Sequence, residues 1–577
     1  MGVTYSYANS AEYDAIVVGS GMGGMVAAAY LAAAGRRTLV LEAYDVIGGC
    51  THAFRRAGKW EFDVGLHYLG DCGPHGMVPT ILRGVGLDKK IEFRPLDPDG
   101  FDTIVFPDLT LKIPRGWDNY QRNLIEAFPA EADRIRAVVR ILRRIGRSID
   151  HSRTPASLLG NARFVWSAGP AAVWAMRPLT HLLDAHELGP RLKAAMSVQY
   201  GTYASPPHRT PVMVHAFMLH NFLNDGAWFP KGGGQVLSAR LGEVVVAHGG
   251  QIRTRAAVRR ILVRDKAVTG VELEDGSRFT APIVVSNADV KHTLLDLVGR
   301  SHLNRLTAAR VRGFRMSQSF FNCYLGVDLD LTERVGNTNF YSVPTSEDVT
   351  SLFEDLAENK GGYTRDERIA QARKRLPAYV SITTVKDPDN PFGAPPSSSV
   401  LEVMTLISAE PDFWGLPAWP AHGDTEYRHN PEYLRIKEAL TDIMIQRVAE
   451  VIPGIEEHIR WREAATPLTQ HRYTRSTSGT PYGIEMSLLQ FGPFRPGVRT
   501  EIRGLFLAGA STAWGPAVES AMLSGLHAAA AALRRDLDAE IRAGTVLGDA
   551  HDLGPDGADW EPLAAAKRLA VRTARRG

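Results

Sequence analysis

Gly19, Gly21 and Gly24 stand in G-x-G-x-x-G spacing, directly after the apolar residues 15–18. Those four residues read as a strand buried on both faces. Gly19 permits a tight turn, Gly21 lets backbone approach a pyrophosphate, and Gly24 lets a helix pack against the strand. The Ala-rich residues 25–34 predict that helix, whose start offers unpaired N–H groups and a positive dipole end to a diphosphate. Gly35 closes it, residues 37–41 read as a second strand, and Glu42 follows at the strand's carboxyl end. An acid at that place suits the hydroxyl pair of a ribose and argues against a 2′-phosphate, so FAD or NAD is preferred over NADP.

The chain that must position this turn has 577 residues, 44% of them hydrophobic, enough for several domains with a sizeable core. A net charge of +3 gives no general attraction to nucleic acid. Cys50, Cys72 and Cys323 are the three cysteines and include no C-x-x-C pair, so neither a disulfide framework nor a metal site is expected. Residues 1–14 lack the basic and apolar regions of a signal peptide. Gly2 and Ser6 match the myristoylation pattern formally, a short match of the kind that arises by chance. No apolar run reaches the ~18–20 residues that span a bilayer. The expected location is therefore cytoplasmic, with peripheral contact to the inner face of a membrane and homo-oligomerisation left open.

Beyond Glu42, residues 46–54 carry the adjacent Gly48 and Gly49, then Cys50, Thr51 and His52. Residues 60–70 alternate polar and apolar side chains through Phe62, Asp63, Gly65, His67 and Tyr68 to Gly70. On these two motifs the chain resembles the phytoene-desaturase-like flavoproteins, a group that includes carotenoid isomerases and all-trans-retinol saturases. The pairing of Gly48-Gly49-Cys50 and His52 with Phe62 to Gly70 looks most like the saturase branch. The resemblance places the paired glycines along the cofactor and the second motif near the flavin ring.

It also implies an α/β fold in which a Rossmann-type FAD-binding domain is built from discontinuous segments, with an inserted mixed α/β substrate domain. The cofactor domain is expected at 12–90, 231–300 and 491–535, the substrate or cap domain at 91–230 and 301–490, and a surface tail at 536–577. In the second cofactor segment Val258 would contact adenine through its backbone, and Ser286, Asn287 and Ala288 would close the adenosine pocket. In the closing segment, Gly509 and Ala510 end a strand, and Pro516 suits the first turn of the next helix. That helix would aim the N–H groups of Ala517 and Val518 at the flavin pyrimidine carbonyl, where a positive dipole end favours the anionic reduced ring. NAD enzymes need no such distant closing segment, which selects FAD, held non-covalently. Met22, Gly23 and Ala43 complete the expected cofactor contacts. Trp514 stands where the family usually has His-Pro and a run of glycines, which narrows the cavity.

Two parts of the substrate domain admit alternative readings. Residues 158–183, rich in Trp, Ala and Leu with flanking arginines, would form an apolar cap or a surface resting on a membrane. They would equally form an ordinary buried helix, the commoner fate of aromatic stripes. His471, Tyr473 and Tyr482 either line the substrate cavity or are ordinary loop residues. The resemblance implies hydride transfer at flavin N5 that saturates or desaturates carbon–carbon double bonds of a hydrophobic polyisoprenoid, retinoid- or carotenoid-like or other lipid, with an unspecified electron donor or acceptor. The alternatives are a redox-neutral cis–trans or double-bond isomerase using reduced FAD, an amine-oxidase-like flavoenzyme, or a non-catalytic flavin-bound lipid carrier. A proton must move beside the hydride. His67, Tyr68 and Glu519 are the candidates to carry it.

Overall fold

The structure, a computed structural model, describes residues 11–150, 158–345, 349–548, 553, 556–557 and 559–572. The pattern at Gly2 and Ser6 lies outside them. At its centre, the strand Ala15–Val18 lies in a six-stranded sheet whose order is Leu505–Leu507, Ile283–Ser286, Ala15–Val18, Thr38–Leu41, Gln251–Thr254 and Ala570–Arg572. Every neighbouring pair in it is parallel. Segments far apart in the chain thus meet in one sheet, and the near-continuous apolar runs reflect burial on both faces.

The helix Met22–Ala33 follows the first strand, and its residues from Met22 to Ala32 are buried. An Ala-rich helix that is apolar on all sides is suited to that place. It packs against the helices Gln235–Ala247 and Val518–Leu533. A four-stranded sheet of Ala11–Glu12, Arg278–Thr280, Ala267–Leu273 and Val258–Arg264 flanks this core.

The second large layer is a seven-stranded mixed sheet in the order Ile459–Ala465, Ser319–Val327, Ser399–Ile407, Ala378–Ile382, Asn339–Ser342, Asp102–Phe106 and Leu109–Ile113. Its long strand Ser319–Val327 is wholly buried and pairs antiparallel with Ser399–Ile407 over its full length. The helix Pro431–Val451 covers one face of this sheet through Ile436, Leu440, Ile443 and Met444.

Two sequence expectations are corrected and one pair of alternatives is resolved. The closing helix begins at Val518, with Ala517 as its N-cap at φ 91°, so Pro516 lies ahead of the helix rather than in its first turn. The described residues beyond 536 are not all on the surface. Leu537 and Ile541 are buried, the helix Pro562–Leu569 buries Leu563, Ala565 and Ala566 against Gln235–Ala247, and Ala570–Arg572 caps the exposed edge of the central sheet. An uncovered parallel edge would otherwise present free N–H and C=O groups. Within 158–183 the two readings divide by residue. Leu179, Leu182 and Leu183 are core, whereas Val165, Trp166, Val173 and Met176 face outward. No described helix is long and apolar enough to cross a membrane.

If the C-terminal segment belongs to the fold, Leu563→Ala leaves a cavity and lowers unfolding stability by about 2–5 kcal/mol. Denaturant titration of the full chain measures this. A change within about 0.5 kcal/mol, as at surface sites, would detach the segment from the cooperative core.

Candidate active site

The turn after Ala15–Val18 is a backbone cradle. Gly19 has φ 89°, and a Cβ on Gly24 would lie 2.2 Å from Gly19 O, so the helix sits on the turn with no room for a side chain. The strand and the turn are tied by Glu42. Its Oε2 accepts from Ser20 N (2.9 Å) and Ser20 Oγ (2.6 Å), and its Oε1 from Tyr44 N (2.8 Å). Ser20 Oγ also lies 3.2 Å from Gly48 N, bringing the paired glycines onto the first turn. Gly49 approaches until a Cβ on it would be 2.9 Å from Gly21 Cα. Asn287 closes the far side, its Oδ1 buried without a hydrogen-bond partner among the described residues.

From this cradle one continuous cavity of about 710 Å³ runs into the space beneath the mixed sheet. Gly19, Gly21, Met22, Glu42, Ala43, Gly48, Gly49, Cys50, Thr51, Val258, Asn287, Gly509, Ala510, Ala517 and Val518 all line it, as do His67, Tyr68 and Glu519. Gly23 and Gly24 do not reach it. They face Ala521 O, Gly509 N and Gly19 O, and serve helix packing instead. Burial pushes the Cys50 thiol up to about 11.

The far end is aromatic. Tyr68 stacks on Phe222 with centroids 4.7 Å apart, Tyr341 meets Tyr379 edge-on at 5.0 Å, and Tyr482 meets Phe320 edge-on at 5.5 Å. Tyr482 therefore lines the cavity and Tyr473 lies on its rim, but His471 does not, its ring nitrogens lying 3.0 and 3.1 Å from the carbonyls of Ser476 and Pro420. Trp514 does line the cavity, its ring 4.9 Å from that of His527.

Behind the aromatic wall is a set of buried charges that no spacing announces. Tyr68 OH donates to Asp102 Oδ2 (3.3 Å), which also accepts from Gln199 Nε2 (2.6 Å), while Asn339 Nδ2 donates to Asp102 Oδ1 (3.0 Å). Lys386 Nζ donates to His67 O (2.7 Å) and Ser381 Oγ (2.8 Å). Glu402 accepts from Thr383 Oγ1 (2.7 Å) and Asp63 N (3.3 Å). Burial raises Asp102 to about 6, raises Glu402 and lowers Lys386, which is nonetheless steadied by those carboxylates. The available signal was a carboxylate within a strongly apolar strand run, as at Asp102 and Glu402. Their partners lie from 19 to 339 residues away, on separate elements, and left no trace in local spacing.

The three proton-transfer candidates separate electrostatically. Burial, reinforced by the Lys386 charge, lowers His67 to about 3, and neither ring nitrogen has a partner among the described residues. An imidazole so depressed is uncharged at neutral pH and a poor acid. Burial and the Asp102 charge hold Tyr68 far above its ordinary value, keeping its phenol protonated. Glu519 accepts from Gly70 N (2.8 Å) at its Oε1, and burial raises it to about 7. Of the three it is the one poised to exchange a proton near neutrality.

A family model described as flavin containing amine oxidoreductase matches residues 22–356 and 432–533. The chain is 27% identical over 517 residues to the all-trans-retinol 13,14-reductase of Danio rerio, covering 86% of this chain and 82% of that protein. It is also 27% identical over 548 residues to the chloroplastic prolycopene isomerase of Arabidopsis thaliana, covering 90% and 82%. Among solved structures, putrescine oxidase bound to putrescine aligns with a TM-score of 0.59 at 13% identity, covering 91% of this chain and 100% of the other. An oxidoreductase from Methanosarcina mazei aligns at 0.56 with 16% identity, covering 89% and 99%. These likenesses show a shared α/β flavoenzyme fold.

The cradle gives a prediction for Glu42. In Glu42→Gln one oxygen becomes an NH₂ donor facing either Ser20 N or Tyr44 N, and the charge-assisted bonds are lost. At roughly 1.5–3 kcal/mol, flavin affinity should fall by about one to two decades with the fold retained, as read by titrating the apoprotein. Unchanged affinity would show that this carboxylate does not shape the site.

Proposed function

From the flavin containing amine oxidoreductase family, to which this chain belongs, we propose an enzyme that saturates or desaturates carbon–carbon double bonds of a hydrophobic polyisoprenoid, retinoid- or carotenoid-like or related lipid. FAD is the cofactor, and it supplies hydride exchange at N5 when bound. The residues present fit it: a backbone cradle with no room for side chains, an unpartnered Asn287 Oδ1, and an acid at the end of the second strand. Gly19, Gly21, Gly48, Gly49 and Gly509 would hold the cofactor by backbone contact, with Val258 at the adenosine end.

The observation that carries the reading is the continuity of this cradle with an aromatic chamber. Tyr68, Phe222, Tyr341 and Tyr379 offer flat faces and edges to a conjugated chain and exclude water from the reacting carbons. Glu519 delivers or removes the proton. The phenol of Tyr68, fixed by Asp102, positions the substrate, and the uncharged His67 packs beside it. An isomerase is the second reading, favoured by equal identity to the plant prolycopene isomerase and to the fish reductase.

Two measurements test this. The holoenzyme reduced anaerobically with dithionite is given all-trans-retinol or a carotene. Saturation yields a product two hydrogens heavier and reoxidised enzyme, whereas isomerisation leaves the mass unchanged and alters the geometry. No change of either kind would remove both readings for these lipids. The second concerns pH. If protonated Glu519 is the donor, saturating turnover falls as pH rises through about 7, because the carboxyl, held neutral by burial, is then ionised. Glu519→Gln should keep the Gly70 bond, lose that pH limb and slow turnover by ~10²–10⁴-fold. Turnover within about threefold of the parent, far below that acid–base range, would make Glu519 a structural residue only.

A further inference from the structure

The outward-facing apolar residues of the helical insertion are left largely uncovered by the described residues. Trp166 is 86% exposed, with Val173 at 62%, Val165 at 56% and Met176 at 45%. Tryptophan gains much from burial, so one left almost bare among other apolar side chains is uncommon on a free soluble surface. The neighbouring Phe164 and Trp174 are packed against the core, so these helices have an apolar face on each side.

Charge around the patch is one-sided. Residues 158–183 contain no aspartate or glutamate. Arg163 and Arg177 are exposed within that stretch, and Arg140, Arg144 and Arg147 are exposed on the helix Ala132–Asp150, against which Leu158–Ala168 packs. Arg134, Arg136 and Arg143 of the same long helix are ion-paired with Glu187, Asp133 and Asp118. The five arginines beside the patch have no ion pair among the described residues.

We propose that this face, with Trp166, Val165, Val173 and Met176 at its centre and Arg140, Arg144, Arg147, Arg163 and Arg177 around it, docks on the surface of an anionic phospholipid bilayer. Aromatic and aliphatic side chains enter the headgroup–acyl boundary, while arginines meet lipid phosphates and keep their charge in water. Charge complementarity selects this occupant, because the five arginines have no ion pair among the described residues and residues 158–183 supply no acid. The short helix Ala172–Ala175 packs on Val212–Asp225, whose exposed Phe217 also lines the cavity, so the docked face lies one helix away from the chamber.

The test is flotation of the full-length holoprotein with phosphatidylcholine vesicles, with and without phosphatidylglycerol. Binding is expected only with phosphatidylglycerol, and it should weaken with salt. Trp166→Asp should raise the lipid concentration for half-binding by about tenfold or more, and Arg147→Ala and Arg163→Ala by about fivefold each. Leu489→Asp, an exposed apolar site elsewhere, should change nothing, and Trp166→Ser serves if the aspartate variant misfolds. Flavin absorbance and melting temperature should match the parent in every variant. Failure of the parent protein to bind, or undiminished binding by both Trp166 variants, would overturn the proposal. So would an oligomer in sedimentation that Trp166→Ser dissociates in the absence of lipid binding, which would assign the patch to a second copy of the chain.

Discussion

Backbone-to-backbone contact between the first and last helices of the cofactor domain is the constraint on which the site depends. A Cβ on Gly525 would lie 2.2 Å from Gly23 O, so Met22–Ala33 and Val518–Leu533 meet with no side chain between them. Asn287 is wedged into the same junction, close enough that a Cβ on Gly21, Gly23 or Gly509 would fall within 2.8 Å of its amide. Three segments that are remote in sequence therefore set the shape of one cradle. The first forty residues contain its motif but cannot hold its geometry alone.

The second feature is the cost of the chamber's polar backing. Asp63, Asp102, Lys386 and Glu402 are all buried. Isolated charges in that position would be prohibitively expensive. Hydrogen bonds that the carboxylates accept from Gln199, Asn339, Thr383 and Gly234 offset the cost, as do those that Lys386 donates to Ser381 Oγ and to the carbonyl of His67. The network thereby holds the segment that carries His67 and Tyr68 against the mixed sheet. The aromatic surface facing the cavity stays apolar, while the charges behind it keep it in place.

Much of the cofactor half was legible in the amino-acid order. The turn at Gly19, the buried strand before it, the acid at Glu42 and the close approach at Gly48 and Gly49 are local demands on φ, side-chain size and hydrophobic period. Such demands leave a signature within a few residues.

The catalytic half was not, because its chemistry arises where separate segments meet. His67 looked fit to exchange protons until burial beside Lys386 lowered it, and Glu519 gained that capacity by being buried against Gly70. Asp102 acquired a role only when the strand that carries it came beside Tyr68. Residues 536–577 read as a surface tail because of their Gly- and Asp-rich turns and basic end, yet the apolar positions of Pro562–Leu569 and the strand Ala570–Arg572 match the uncovered side of Gln235–Ala247 and the open edge of the central sheet. The sequence by itself determined the class of cofactor domain, since a turn's backbone needs are written in its own residues. Tertiary structure alone decided which acid titrates near neutrality, which aromatics share a chamber and which tryptophan stays outside, since burial and electrostatic environment belong to neighbours that the chain order does not name.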